Sequence, residues 1–221
     1  MVDIKIRDTL VDGMGPWGWP AKDTGAWDGP VDDWLVSHSN VITNISRKRT
    51  AIQAGGNCGL YPRLLTQHFQ HIHTFEPEET NLFFLAMNNV DQVENGTVTV
   101  HPKALGRSSR RCGINRAPVD NVGMFTINES GNSIEMTSID ESFPDIDTVD
   151  LIWLDIEGYE YEALEGGVKV VKRNLPVIGV ERASERVKLR LNALGYYAKL
   201  ISKMDTFFVH PNGNQIESKS S

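Results

Sequence analysis

Cysteine is scarce: the 221 residues hold only Cys58 and Cys112. They form no CxxC pair and no zinc-binding pattern, which excludes a disulfide framework. No apolar run approaches the ~20 residues that cross a bilayer, so no membrane helix is expected. Positive charge is in the minority, with 22 Lys and Arg against 29 Asp and Glu and a formal net charge of −7. Phosphate backbones and anionic bilayers attract the opposite sign, which argues against general nucleic-acid or membrane-surface binding. Basic residues are dense only at Arg47, Lys48 and Arg49 and between Arg107 and Arg116. There is no signal-peptide pattern, internal repeat or low-complexity tract, and a reducing cytoplasm is the expected compartment.

Against these absences, 40% of the residues are hydrophobic, enough for one sizeable α/β domain. The first 49 residues stand apart. They hold Trp17, Trp19, Trp27 and Trp34, four of the five tryptophans, among Gly, Pro and Asp. This segment reads as an irregular arm followed by a short helix that starts near Pro30. It packs on the main body or caps a site, since aromatic rings supply apolar surface and stacking faces. Residues 212–221 form a polar tail expected to fray.

Between residues 50 and 211 strand-like and helix-like stretches alternate. "RTAIQAG", "HIHTFEP", "TVTVHP", "VDLIWLDI" and "PVIGVE" read as strands. "GLYPRLLTQHF", "PEETNLFFLAMNNV", "EYEALEGGVKVVKRN" and "SERVKLRLNALG" read as helices. Repeated βα units predict an α/β fold, a mostly parallel sheet with helices on both faces. "YYAKLIS" and "DTFFVHP" have almost nothing between them and predict an antiparallel hairpin at its end. "VGMFTINES" and "NSIEMTSID" read as a second hairpin after a basic loop.

The stretch "AIQAGGNCGLYPRL" places Gly55, Gly56 and Gly59 at a strand-to-helix turn. In such sheets ligands bind at the carboxyl ends of the strands, and a helix start offers free N–H groups to an anionic group. The next strand ends at Glu76, a carboxylate able to accept hydrogen bonds from both hydroxyls of a ribose. These features leave three readings open: a dinucleotide, S-adenosylmethionine (SAM), or glycines that only permit close packing.

Taken in order, "AIQAGGNCGLYPRLL", "HTFEPEETNLFFLAMN", "TVTVHPKALG", "MTSIDES", "VDLIWLDIEGYEYEALEGG" and "PVIGVE" resemble the FkbM-type family of SAM-dependent methyltransferases. The resemblance covers residues 50 to 182 and is most specific around Asp155, Glu157 and Gly158. It implies a Rossmann-like class I methyltransferase with a seven-stranded, mostly parallel sheet whose last strand is antiparallel. It also implies O-methylation of a hydroxyl on a sugar or small metabolite, with SAM as cofactor. By position, Gly55, Gly56, Asn57 and Gly59 would line the methionine end of SAM, with Gln53 toward its amino group. Glu76 would hold the ribose, Ala104 and Leu105 would lie near the adenine, and Pro77 and Asp155 are also expected to contact the cofactor. Two positions depart from the pattern: Gln53 stands where the family usually has Asp, and Trp153 where it often has Lys.

A hydroxyl acceptor needs a group to take its proton as the C–O bond forms. Asp155 is the first candidate base, because it ends an apolar strand that aims it at the crevice. Glu157 is the second and His101, at the end of the third strand, the third. The alternatives are SAM binding alone or a helix cap for Asp155, backbone hydrogen bonding for Glu157 and a structural role for His101. Glu160, Glu162 and Glu165 read as a solvated helix face, and Asp140 as a turn or cap residue. Asp155, Glu157 and Glu181 are placed to converge at neighbouring strand ends, where a hard cation such as Mg²⁺ would suit them. No linear motif specifies that site, and no metal ligand is assigned. The rival functions are a nicotinamide-dependent oxidoreductase, for which no catalytic acid pair is found, and a non-catalytic binding domain on the same fold.

Overall fold

The computed structural model describes residues 33–115, 125–202 and 204–217, with no side chains given for 33–37 and 202. Trp17, Trp19, Trp27 and Arg116 lie outside the described residues, and so does the expectation of a tryptophan-rich cap. The chain enters through α1 (Asp33–Thr43). It then forms β1 (Thr50–Ala54), α2 (Leu60–Leu65), β2 (His71–Phe75), α3 (Glu79–Asn88), α4 (Val90–Glu94) and β3 (Val98–His101). A small excursion follows: β4 (Ala104–Leu105), β5 (Arg110–Asn115), β6 (Thr126–Asn128), β7 (Ile134–Thr137) and α5 (Ile139–Ser142). The chain returns through β8 (Leu151–Leu154), α6 (Glu160–Glu165), α7 (Val168–Asn174), β9 (Val177–Glu181) and α8 (Glu185–Ala193). It closes with β10 (Tyr197–Ser202) and β11 (Asp205–Val209).

The main sheet has seven strands in the order β10-β11-β9-β8-β1-β2-β3. β1 pairs in parallel with both β2 and β8, while β11 runs antiparallel to β9 and β10 to β11. From β1 the chain moves outward to β3 and then returns to the other side at β8. The strand order therefore reverses between β1 and β8, which opens a crevice at their carboxyl ends. The period-2 alternation of the strands divides the core into two layers. Ala51, Leu151, Trp153, Val177 and Phe207 meet α1 and α2 on one face, and Ile52, Ala54, Ile152, Leu154 and Val180 meet α5–α8 on the other.

Local chemistry fixes several boundaries. Glu78 caps α3 by accepting from the Asn81 backbone N–H at 2.8 Å, and Ser138 with Glu141 forms a capping box on α5. Asp140 accepts from the backbone N–H of Lys169 and Val170 at 3.0 and 2.9 Å. It is a cap residue, as its sequence context indicates, but for α7 rather than for its own helix.

Four readings of the sequence need correction. The segment after Leu105 is not only a basic loop, since Arg110–Asn115 forms β5. The two stretches read as a hairpin do not pair with each other: β5 lies between β6 and β7 in a second sheet of order β4-β7-β5-β6. "EYEALEGGVKVVKRN" is two helices, separated at Gly166 and Gly167, and Gly166 packs so closely on the Gly106 carbonyl that a Cβ there would stand 2.1 Å from its oxygen. The tail is tied down as far as Glu217. Ile216 bridges Ile45, and the buried Asn214 side chain donates to the carbonyls of Arg47 and Asp150. A hydrophobic contact plus a satisfied amide is enough to hold an otherwise polar terminus.

Candidate active site

The turn after β1 is built against its protein neighbours. Gly55 has φ +84°, and a Cβ there would lie 1.8 Å from the Asp155 carbonyl oxygen. The N–H groups of Gly55 and Gly56 both donate to the Phe75 carbonyl, at 3.1 and 3.0 Å. A Cβ on Gly56 would strike Leu85 at 2.4 Å. The packing explanation of these two glycines therefore holds in full, and they do not by themselves reserve space for a ligand. Farther along the turn, Asn88, the last residue of α3, and Asn89, which follows it, donate to the carbonyls of Cys58 and Gly59 at 2.7 and 3.1 Å.

Glu76 closes the turn from the side of β2. Its carboxylate accepts from the backbone N–H of Asn57 at 2.8 Å and of Glu78 at 2.9 Å, and from Asn81 Nδ2 at 3.5 Å. A carboxylate has about four lone-pair sites, so acceptor capacity remains. Burial pushes its pKa up to about 7, against the pull of those three donors. Asn57 sits at φ +45°, and its buried Oδ1 has no hydrogen-bond partner among the described residues.

Gln53 is fully buried, and its polar atoms are engaged. Its amide donates to the carbonyls of Ala54 and Gly55 at 3.2 and 2.8 Å, and its Oε1 accepts from Thr74 Oγ1 at 2.5 Å. The side chain braces the turn from beneath. Trp153 is also fully buried. Its ring packs against Tyr61 at 4.6 Å and edge-on to His38 and Phe207 at 5.0 and 5.3 Å. A Cβ on its register neighbour Gly179 would meet the Phe207 ring at 2.9 Å, so the missing side chain makes room for that stack.

Across the crevice the carboxylates gather. Side-chain oxygens of Asp155, Glu157 and Glu181 lie within 4.8 Å of one another, and Asp205 is the direct register partner of Glu181. Of the described residues, these three form the group tight enough to hold a hard cation. Within this group the Asp155 and Glu181 carboxyls are immediate neighbours at the ends of the adjacent strands β8 and β9. Burial and the neighbouring charge of Glu181 raise Asp155 well above the usual carboxylate range. Burial also raises Glu157, followed by the charge of Glu181, while Arg182 opposes the shift. Glu157 itself stands at φ +49° and is followed by Gly158 at φ +93°, around which a Cβ would meet nothing within 4 Å. Glu160 holds this loop, accepting from the backbone N–H of Ile156 and Gly158 at 3.2 and 3.1 Å.

Glu160 was expected on a solvated helix face and is instead buried, because the loop after β8 needs its acceptors. Glu162 and Glu165 pair with Arg107, Arg186 and Arg190. His101 does not join the Asp155 group. β3 is the far edge strand, three strand spacings from β8, or about 14 Å at ~4.8 Å per strand. There His101 stacks on Phe75 at 4.3 Å and lies 3.2 Å from His73, and burial drives its pKa down to about 4. Ala104 and Leu105 are buried in β4 beside β7, and Pro77 follows Glu76 half-buried. The basic residues near β5 are engaged: Lys103 and Arg111 face Glu135, and Arg110 pairs with Glu129 and Tyr159. Sequence reasoning missed Asp205, which joins the acids only because β11 runs back against β9.

A sheet reversed at its seventh strand, with a glycine turn and an acid at the switch point, defines a Rossmann-like methyltransferase fold. The methyltransferase FkbM domain matches residues 58–210. The chain belongs to that family, whose members transfer methyl groups from SAM. An FkbM methyltransferase from Methylobacillus flagellatus KT is similar in structure at a TM-score of 0.51 and 20% identity over 73% of this chain; the chain spans 43% of that protein's length. An rRNA methylase from Streptococcus thermophilus aligns at a TM-score of 0.46 and 10% identity, over 78% of this chain and 92% of its own. A precorrin-6y C5,15-methyltransferase from Geobacter metallireducens aligns at 0.44 and 14%, over 80% and 85%. No protein of curated function matches the chain. Among the described residues no helix is long and apolar enough to cross a membrane.

Proposed function

We propose that the protein methylates a hydroxyl group on a sugar or other small metabolite, with the Asp155–Glu181 pair as base. The observation that carries this reading is the junction of the two halves of the site. The cofactor turn packs on the Asp155 backbone at Gly55, while the Asp155 carboxylate gathers with those of Glu157 and Glu181 within 4.8 Å. Donor and acceptor groups are thereby held on one rigid frame, which is what an in-line displacement needs from a protein.

The family's cofactor supplies a methyl group already activated on a sulfonium. The residues present fit it. Gly55, Gly56, Asn57 and Gly59 would receive its methionine end, and the unpartnered Asn57 Oδ1 is an acceptor suited to its ammonium group. Glu76 retains acceptor sites for the ribose hydroxyls, beside Pro77, and Ala104 and Leu105 would face the adenine. Gln53 serves this site by bracing the turn rather than by contact with the ligand. When bound, the cofactor would give up its methyl group with cleavage of the S–CH₃ bond and would leave as the neutral thioether. The proton of the acceptor hydroxyl would pass to the carboxylate group around Asp155 and Glu181. Glu157 lines the same crevice, and His101 has no part in the transfer.

The test is incubation with SAM labelled with ¹³C at the methyl carbon and a panel of saccharides and hydroxylated metabolites, read by NMR. A new O–CH₃ resonance is expected. Products carrying only N–CH₃ or S–CH₃ groups contradict the hydroxyl assignment.

A further inference from the structure

The helix that precedes the family-matched segment buries a histidine between α2 and the strands that carry Trp153 and Asp205. His38, on α1, is buried to 2% exposure, with its ring edge against Trp153. Its Nδ1 lies 2.7 Å from the Tyr61 hydroxyl, and its Nε2 lies 2.7 Å from Asp205 Oδ2. The Nδ1–Tyr61 contact is the hydrogen bond of the ring, and the Asp205 carboxylate faces the opposite nitrogen. Tyr61 belongs to the first turn of α2, two residues after Gly59. Asp205 stands opposite Glu181 in the sheet. One imidazole therefore ties the exit of the cofactor turn to the carboxylate side of the crevice.

We propose that His38 is a positioning residue for the cofactor turn, fixed in orientation by Asp205 and acting through the Tyr61 hydroxyl. The arrangement follows the general rule that a partner on one ring nitrogen sets what the other nitrogen can do. Trp153 completes it. A long charged side chain at that position could not remain fully buried between His38 and Phe207 without a partner, whereas the indole supplies the flat wall on which both rings rest. This inference rests on the reading of the turn as the SAM site.

The test is calorimetric titration with S-adenosylhomocysteine of wild type, Tyr61→Phe, His38→Ala and His38→Asn, each confirmed as natively folded by near-UV circular dichroism. Tyr61→Phe and His38→Ala are expected to raise Kd about fivefold or more, the scale of one lost buried hydrogen bond. His38→Asn, whose side-chain amide offers a hydrogen-bonding group in place of Nδ1, is expected within about twofold of wild type. A residue that only fills the core would lower thermal stability and leave all four Kd values alike, and that result overturns the inference. Weak binding by His38→Ala with unchanged Tyr61→Phe overturns it as well, since the effect then comes from the cavity. If the wild type itself fails to bind, the cofactor reading falls first and this inference with it.

Discussion

Gly55 and Asp155 meet so closely that the carbonyl oxygen of one occupies the space a side chain on the other would need. The turn after β1 and the strand end after β8 are thus a single packed unit, and neither can shift independently of the other. Gly55→Ala combines this overlap with a φ of +84°, each costing of order 1–3 kcal/mol or more. The variant is expected to lose at least ~2 kcal/mol of stability and to lose S-adenosylhomocysteine binding. Urea denaturation with a parallel binding assay checks both, and a fully stable variant would refute the packing argument.

Glu76 predicts a pH-dependent affinity. Its folded pKa is raised to about 7 from 4.5. In the ligand-free protein its contribution to stability is therefore complete below the unfolded value and is lost as pH rises through 7. Hydroxyl donors from a ribose favour the charged form, so S-adenosylhomocysteine should bind more tightly as pH rises through 7 and should release a proton. Calorimetry in buffers of different ionisation enthalpy measures that proton. Glu76→Gln should abolish the release and weaken binding; an unchanged release would move the linkage elsewhere.

Asp155→Asn separates catalysis from stability. Asp155 is raised by burial first and then by Glu181, so the wild type loses stability as pH climbs above the usual carboxylate range. Removing one acid relieves that loss. The variant is expected to melt at a higher temperature than wild type at pH 8, to bind S-adenosylhomocysteine within about threefold and to lose methyl transfer. A variant that transfers at the wild-type rate would shift the base to Glu157.

The histidine pair His73 and His101 predicts acid sensitivity. Burial lowers both, His101 to about 4. A depressed pKa means stability that is present above 6.5 and lost as pH falls toward 4. His101→Gln should flatten the decline of the urea midpoint between pH 7 and pH 5 and leave methyl transfer within about threefold. Loss of transfer with native affinity for the cofactor product would return His101 to the list of candidate bases.

Much of this was readable without coordinates, for local reasons. Apolar strand runs, the glycines at a strand–helix turn and the short connection before Asp205 are written in neighbouring residues, and they predicted the parallel sheet and the closing antiparallel strands. The convergence of Asp155, Glu157 and Glu181 was also foreseeable, because parallel strands place their ends together. What stayed hidden depends on distant pairing. β5 separates β6 from β7 through contacts that no linear spacing encodes. Glu160 looks like any surface glutamate until Ile156 and Gly158 turn their N–H groups toward it. Asp205 and His38 reach the site only through the reversed direction of β11 and the return of α1 across Trp153.

Equilibrium titration of the folded wild type with S-adenosylhomocysteine, with NADH as the control ligand, bears most directly on the central claim that this turn and Glu76 hold an adenosyl sulfonium. Saturable one-to-one heat with the former and none with the latter is the predicted result. Heat with NADH alone, or none with S-adenosylhomocysteine, would contradict it.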